Sequence, residues 1–197
     1  MVEIDKIVSV GRTVIEEEAQ SLLHLAQSLG PEFQKAVELI VKNKGRLILV
    51  GMGKAGHIAR KLAATFASTG TPAFFVHPAE AAHGDLGMIT RTDLVIILSH
   101  SGSSEEVINI LPVIHEIGAK VIAITGKPDS PLAKNAKLTL ITGVTREADP
   151  RGQAPTSSAV AMLALGDALA IAVSEIRGFT REDFKRFHPG GALGRQN

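Results

Sequence analysis

The 197 residues carry 21 basic and 20 acidic side chains, with no run of five like charges and no cysteine. This length suits one sizeable α/β domain and is too short for two full-sized domains with a linker. The balanced charge excludes an electrostatic footprint for nucleic acid or an anionic membrane, and the missing cysteines exclude a disulfide framework, a thiolate metal site and a cysteine nucleophile, so the expected partner is a small molecule.

The first twenty-five residues include Glu16-Glu17-Glu18 and lack the uncharged apolar stretch and cleavage site of a secretion leader. A cytoplasmic location is expected. Ile4, Ile7, Val8, Val14, Ile15, Leu22 and Leu25 recur mostly every three or four residues, predicting a helix over 2–29 that Gly30-Pro31 interrupts. Phe33, Val37, Ile40 and Val41 continue a second one. From Arg46 the pattern changes to short apolar runs, Leu47–Val50, Ala73–Val76, Leu94–Leu98, Val121–Ile124 and Leu138–Ile141, which read as strands buried on both faces.

Helical stretches at Ile58–Ser68 and Glu105–Ile117 separate these runs, so the strands are expected to be parallel with right-handed crossovers. The fold class is α/β, a doubly wound five-stranded parallel sheet sandwiched by helices. Two more helices, Ser157–Ile176 and Arg181–Phe187, precede the tail His188-Pro189-Gly190-Gly191-Ala192-Leu193-Gly194. The apolar stretch Ala159–Val173 is shorter than the roughly 18–20 residues needed to cross a bilayer and contains Asp167, so it reads as a buried helix packed on the sheet or on a second subunit. The expected division is N-terminal helices over 1–44, the α/β sandwich over 45–177 and a C-terminal helix and tail over 178–197. No internal repeat or low-complexity tract interrupts it.

Ligands of such sheets bind outside the carboxyl ends of the strands, so the loops there carry the chemistry. After the first strand, Gly51-Met52-Gly53-Lys54-Ala55-Gly56 fits a dinucleotide fingerprint, but the second strand ends in His77-Pro78 without the acid that would hold a ribose. A P-loop fails too, since no Gly-Lys-Ser/Thr follows. What remains is a turn around Gly53 presenting backbone N–H groups and the Lys54 ammonium to an anion or a polarised oxygen, or else a tight turn with Lys54 solvated. Ser99-His100-Ser101-Gly102-Ser103-Ser104 enters a helix at Glu105-Glu106; four hydroxyls around Gly102 at a helix N-terminus suit phosphate, whereas ordinary capping needs one. In the His77–Gly87 loop, His83 reads first as a catalytic or substrate contact, second as a satisfied loop residue and last as a metal ligand. Pro155 followed by Thr156, Ser157 and Ser158 is a helix-start signal, and Glu147 is equally a carboxylate reaching the crevice or a solvated loop acid.

Together these segments, with Ala154-Pro155-Thr156-Ser157-Ser158 and the His188-Pro189-Gly190-Gly191 tail, resemble the arabinose 5-phosphate isomerases of the sugar-isomerase (SIS) domain family across nearly the whole chain. The resemblance implies a flavodoxin-like SIS fold and interconversion of D-arabinose 5-phosphate and D-ribulose 5-phosphate, serving synthesis of the eight-carbon sugar acid of bacterial lipopolysaccharide. It implies Ser99, Ser101 and Ser104 at the phosphate, and Lys54, His83, Glu106, Glu147 and His188 around the sugar. Gly53, Gly102, Thr156 and Ser157 are further expected substrate contacts, with no metal and no cofactor. It also suggests a homo-oligomer, a dimer or tetramer, in which His188 or His83 serves a neighbouring subunit. This chain departs from the relatives in Ala55 for a serine, His100 for a frequent asparagine and Ser103 for a frequent glutamate. It is expected to be a single SIS domain without the two CBS modules that longer relatives carry after the tail.

Such an isomerase moves a proton between C2 and C1 through an enediolate, with Glu106 the leading base, Lys54 the oxygen polariser and His188 or His83 the proton shuttle. Hydride-shift isomerases instead hold divalent metals with several carboxylates, and no such cluster is visible in the sequence. The alternatives are another SIS isomerase, acting on a hexulose or heptose phosphate, and a non-catalytic sugar-phosphate sensor. Sensors of that kind usually carry a DNA-binding domain, and residues 1–44 lack a basic recognition face.

Overall fold

The structure, a computed structural model, describes residues 4–190. The end of the glycine-rich tail from Gly191 lies outside the described residues. In chain order the elements are α1 (Ile4–Ser28), α2 (Pro31–Lys42), β1 (Leu47–Gly51), α3 (Gly53–Ser68), β2 (Ala73–Val76), α4 (Pro78–Ala81), a 3-10 turn (Asp85–Met88), β3 (Leu94–Leu98), α5 (Glu105–Ile117), β4 (Lys120–Thr125), α6 (Pro131–Asn135), β5 (Leu138–Ile141), α7 (Ser157–Ile176) and α8 (Arg181–Phe187). All four strand pairings are parallel, in the order β2-β1-β3-β4-β5. The expected doubly wound, flavodoxin-like sheet is present.

The continuous apolar runs follow from the two layers. Side chains alternate across a strand, so Leu47 and Leu49 of β1 and Leu94, Ile96 and Leu98 of β3 enter one core, with Leu62 and Phe66 of α3 and Leu165 and Leu169 of α7. Their neighbours Ile48, Val50, Val95 and Ile97 enter the other, with Val107, Ile110 and Ile114 of α5. With both faces covered, neither central strand has a solvent side to alternate toward.

α7 has the expected bounds, Ser157–Ile176, and at 20 residues the whole helix is long and apolar enough to cross a bilayer, which the stretch Ala159–Val173 by itself is not. Its apolarity is accounted for by packing on α3, α1 and α2. Gly166 permits the close approach to α3: a Cβ there would lie 2.2 Å from Leu62 Cδ1. α3 also begins at Gly53, earlier than Ile58, because the helix grows directly out of the glycine turn. The short helices α4 and α6 and the 3-10 turn went unread, since four or five residues hold too little of a 3.6 period to register.

At the amino edge of the sheet the buried Asp93 carboxylate accepts from Arg46 N (2.7 Å), Arg46 Nη2 (2.9 Å), Thr90 N (2.8 Å) and Thr90 Oγ1 (2.8 Å). Burial pushes its carboxyl up, but these bonds outweigh burial and hold it at about 2 against the ordinary 3.8. A folded pKa below the unfolded one contributes stability that is fully present above pH 3.8 and is lost as pH falls toward 2, on the order of 2 kcal/mol. Asp93→Asn is therefore expected to lower the unfolding free energy by about that amount at pH 7, with the gap closing near pH 2. Urea denaturation at both pH values measures it; a gap of equal size at the two would reject the electrostatic origin.

Candidate functional site

β1 and β3 are neighbours whose outgoing helices, α3 and α5, cover opposite faces, so their carboxyl ends open at the topological switch point. A crevice of about 340 Å³ lies there, lined by Met52, Lys54, Ala55, Leu98, Ser99, His100, Ser101, Ser104, Glu147, Pro155, Ser158 and Met162. The loops after β1, β3 and β5 thus meet in one place.

The glycine turn is built for closeness. Gly53 has φ +58, which disfavours any side chain, and a Cβ on Gly51 or Gly56 would lie 2.7 Å from Ala55 O or 2.6 Å from Gly51 O. Strand and helix are therefore in direct backbone contact, which explains the dinucleotide-like spacing without a dinucleotide. Lys54 stands in the first turn of α3 and is exposed, with its side chain on the crevice rim.

In the serine loop, Ser99 is 4% exposed; its Oγ lies 3.1 Å from Ser104 Oγ and accepts the Gly102 N–H at 3.1 Å. Gly102 has φ +62, and a Cβ there would lie 2.1 Å from Ser130 Oγ, so the loop turns tightly over the start of α6. Ser101 Oγ accepts the Ser103 N–H at 3.3 Å. Ser104 occupies the N-cap of α5, yet its hydroxyl makes no capping hydrogen bond. The positive end of the α5 dipole is thus not neutralised by the residue best placed to cap it, which suits an anion.

Glu147 is neither solvated nor idle. Its Oε2 accepts from Thr156 N (2.7 Å), Thr156 Oγ1 (3.1 Å) and Ser158 N (3.1 Å), so a loop carboxylate caps α7 where Thr156, the N-cap residue, does not. Burial pushes its carboxyl up, but the Ser158 and Thr156 groups that face it more than offset this and hold it below the ordinary 4.5. The Ser158 hydroxyl is near enough to favour the charge, yet it is buried without a hydrogen bond of good geometry. Glu147 faces the crevice as an ionised carboxylate.

The remaining predicted residues are dispersed. Ser157 and Ser158 are equally buried, each 1% exposed, but only Ser158 lines the crevice; the Thr156 hydroxyl donates to Glu147. Glu106 is exposed on the first turn of α5 and His83 is exposed beyond α4, both at the carboxyl edge of the sheet but outside the crevice lining. His188 ends α8, stacked on Phe184 with ring centroids 3.8 Å apart, and Nδ1 donates to Phe184 O at 2.8 Å. It sits at the opposite edge: α7 runs back from the crevice for ~30 Å, and Arg177 then reaches Ile40 O at 2.9 Å and Thr71 Oγ1 at 3.1 Å, beside the strands' amino ends. Phe187 stacks on Phe179, which closes over Gly70 there. Among the lining residues, His100, Met52, Pro155 and Ser158 were not singled out as site residues in the sequence. The crowding of Ser99-His100-Ser101 was the available signal for His100. Among the described residues no three His, Asp or Glu side chains gather as a metal-binding group.

The SIS domain family model matches residues 39–172, which include every residue lining the crevice. The chain belongs to the SIS domain family. It is 56% identical over 194 residues to the arabinose 5-phosphate isomerase KdsD of Pseudomonas aeruginosa, covering 98% of this chain and 59% of that protein. To the KdsD of Escherichia coli K12 it is 52% identical over 186 residues, covering 94% and 57%. The chain therefore spans less than two thirds of the length of these curated relatives. A protein of E. coli CFT073 solved in complex with arabinose 5-phosphate is 40% identical with a TM-score of 0.93, covering 95% of this SIS chain and 100% of that one.

Proposed function

We propose that the chain is an aldose–ketose isomerase interconverting D-arabinose 5-phosphate and D-ribulose 5-phosphate by enediol proton transfer, needing no metal or cofactor. The observation that carries this is the likeness, over the whole of that solved chain, to a protein complexed with arabinose 5-phosphate, joined to a crevice here that combines an anion cup, an ammonium and an ionised carboxylate. Ser99, Ser101 and Ser104 hold the phosphate at the α5 N-terminus, with Gly53 and Gly102 bringing backbone N–H groups close. Binding energy at the remote phosphate then orients the reacting carbons.

At the other end a base takes the C2 proton of the open-chain aldose, charge builds on the carbonyl oxygen, and the proton returns at C1. Lys54 stabilises that oxygen. The crevice lining favours Glu147 over Glu106 as the base, because Glu147 is ionised and already at the crevice wall. Glu106 and His83, at the same edge, are available where a neighbouring copy meets it, and the partner subunit's His188 completes the proton relay. A homo-oligomer with shared sites is the assembly this implies. The exposed Ile7, Val8, Val10 and Ile15 of α1 offer apolar surface for it. The enzyme works in the cytoplasm and feeds synthesis of the eight-carbon sugar acid of lipopolysaccharide.

Incubation with each pentose phosphate in deuterated water, followed by NMR at C1 and C2, is expected to give exchange together with interconversion. Binding without exchange would reject catalysis, and exchange only with a hexulose or heptose phosphate would move the substrate. Replacing Ser101 and Ser104 by alanine removes bonds to a charged group worth ~1.5–3 kcal/mol each. The Michaelis constant of that variant is expected to rise more than tenfold, with inorganic phosphate weakened as an inhibitor in parallel. Unchanged binding by the variant would reduce the loop to a local turn.

A further inference from the structure

His100 belongs to the crevice in a way that the phosphate cup and the base do not explain. Its backbone is fixed, since its carbonyl accepts from Gly126 N at 3.0 Å and from Thr125 Oγ1 at 3.1 Å. Its ring is fixed as well: a Cβ on Gly126 would lie 2.3 Å from the imidazole Cε1 and 2.5 Å from Nδ1, so the glycine exists as a bed for this ring. Nδ1 is buried without a hydrogen-bond partner. Nδ1 is enclosed against Gly126, so a molecule in the crevice meets the ring at Nε2, which is neither buried nor hydrogen-bonded within the chain.

The ring lines both the crevice and an adjoining polar basin of about 740 Å³ bordered by Glu147, Arg146, Asp149 and Arg151. It follows Ser99 and precedes Ser101, and shares both walls with Glu147. A substrate whose phosphate rests on the serines and whose reacting carbons face Glu147 must carry its intervening hydroxyls past this ring. We infer that His100 is a specificity-determining substrate contact, a hydrogen-bonding partner of the sugar hydroxyls between the phosphate and the reacting carbons.

Burial lowers the His100 pKa below the ordinary 6.5; the Glu147 carboxylate opposes this and the Lys127 ammonium adds to it. The ring is thus neutral at pH 7, with one nitrogen to donate and one to accept, which suits a hydroxyl better than a phosphate.

The inference rests on the sugar-phosphate reading of the crevice, and the test separates the two. Histidine ring 15N resonances, assigned with His100→Gln, are followed while D-ribulose 5-phosphate or inorganic phosphate is added to the parent protein. The His100 signals are expected to move with the sugar phosphate and to stay in place with inorganic phosphate at saturation. His100→Phe is expected to weaken D-ribulose 5-phosphate binding at least tenfold, to leave inorganic phosphate affinity unchanged, and to lose discrimination against the C3 epimer D-xylulose 5-phosphate; His100→Gln, which keeps a donor and an acceptor, recovers part of each. Saturation by the sugar phosphate with no movement of the His100 signals, or equal loss of phosphate affinity in His100→Phe, overturns the inference and leaves the isomerase reading standing. Movement of the signals without turnover rejects the isomerase and keeps the contact. Failure of the parent to bind D-ribulose 5-phosphate overturns both.

Discussion

Alanine in place of His188 is expected to lower turnover by roughly 10²–10⁴-fold, the usual contribution of a positioned acid–base group, with secondary structure and assembly unchanged. The expectation is demanding because His188 lies across the length of α7 from the crevice of its own chain. Its ring is held by the Phe184 stack and by the Nδ1–H bond to Phe184 O, which puts a proton on Nδ1 and leaves Nε2 as the nitrogen for the proposed relay. Pro189 ends the helix and keeps His188 outside helical geometry, at φ −124 and ψ 51. If its role were only that of a C-terminal cation, the substitution would cost no more than ~0.3–1 kcal/mol of stability and nothing in turnover. Mixing His188→Ala with an inactive Lys54→Ala variant distinguishes the routes. Hybrid oligomers should regain activity, since sites pairing an intact Lys54 with a neighbour's intact His188 reappear. No recovery despite confirmed subunit exchange would remove the cross-subunit role.

The sheet was legible because physics acts on it locally. Runs such as Leu94–Leu98 must be apolar at every position when both faces are covered, and that requirement is visible without knowing the neighbours. The serine loop was legible for a similar reason: four hydroxyls around Gly102 exceed what a cap needs, and Ser104 indeed leaves capping undone. The crevice wall was less so. Ser157 and Ser158 read alike in sequence and are equally buried, and only the phase of α7 decides that the second and not the first lines the crevice. His100 shows the limit most clearly, since its fixed ring depends on Gly126, which lies beyond β4 and a whole helical crossover away. The distance from His188 to its own crevice is likewise set by the length and direction of α7, which no local pattern near His188 encodes.

Glu147 caps α7 and is the proposed base, and a pair of substitutions should separate the two. Glu147→Ala leaves the Thr156 and Ser158 N–H groups without their acceptor, which is expected to cost about 1–3 kcal/mol of stability and to abolish activity together. Glu147→Gln keeps a side-chain oxygen to accept those bonds and loses the charge. It is expected to unfold within ~1 kcal/mol of the parent yet to turn over roughly 10²–10⁴-fold more slowly, because an amide cannot take the C2 proton. The pH dependence has a definite sign as well. A carboxyl held below the ordinary 4.5 is ionised, and so competent as a base, throughout the neutral range, and is lost only as pH falls through that lowered value. The acid limb of kcat/KM in the parent is therefore expected below pH 4.5 wherever the fold survives. Were Glu147→Gln to retain parental turnover, the carboxylate would be a helix cap alone, and the base would have to come from Glu106 on the exposed first turn of α5.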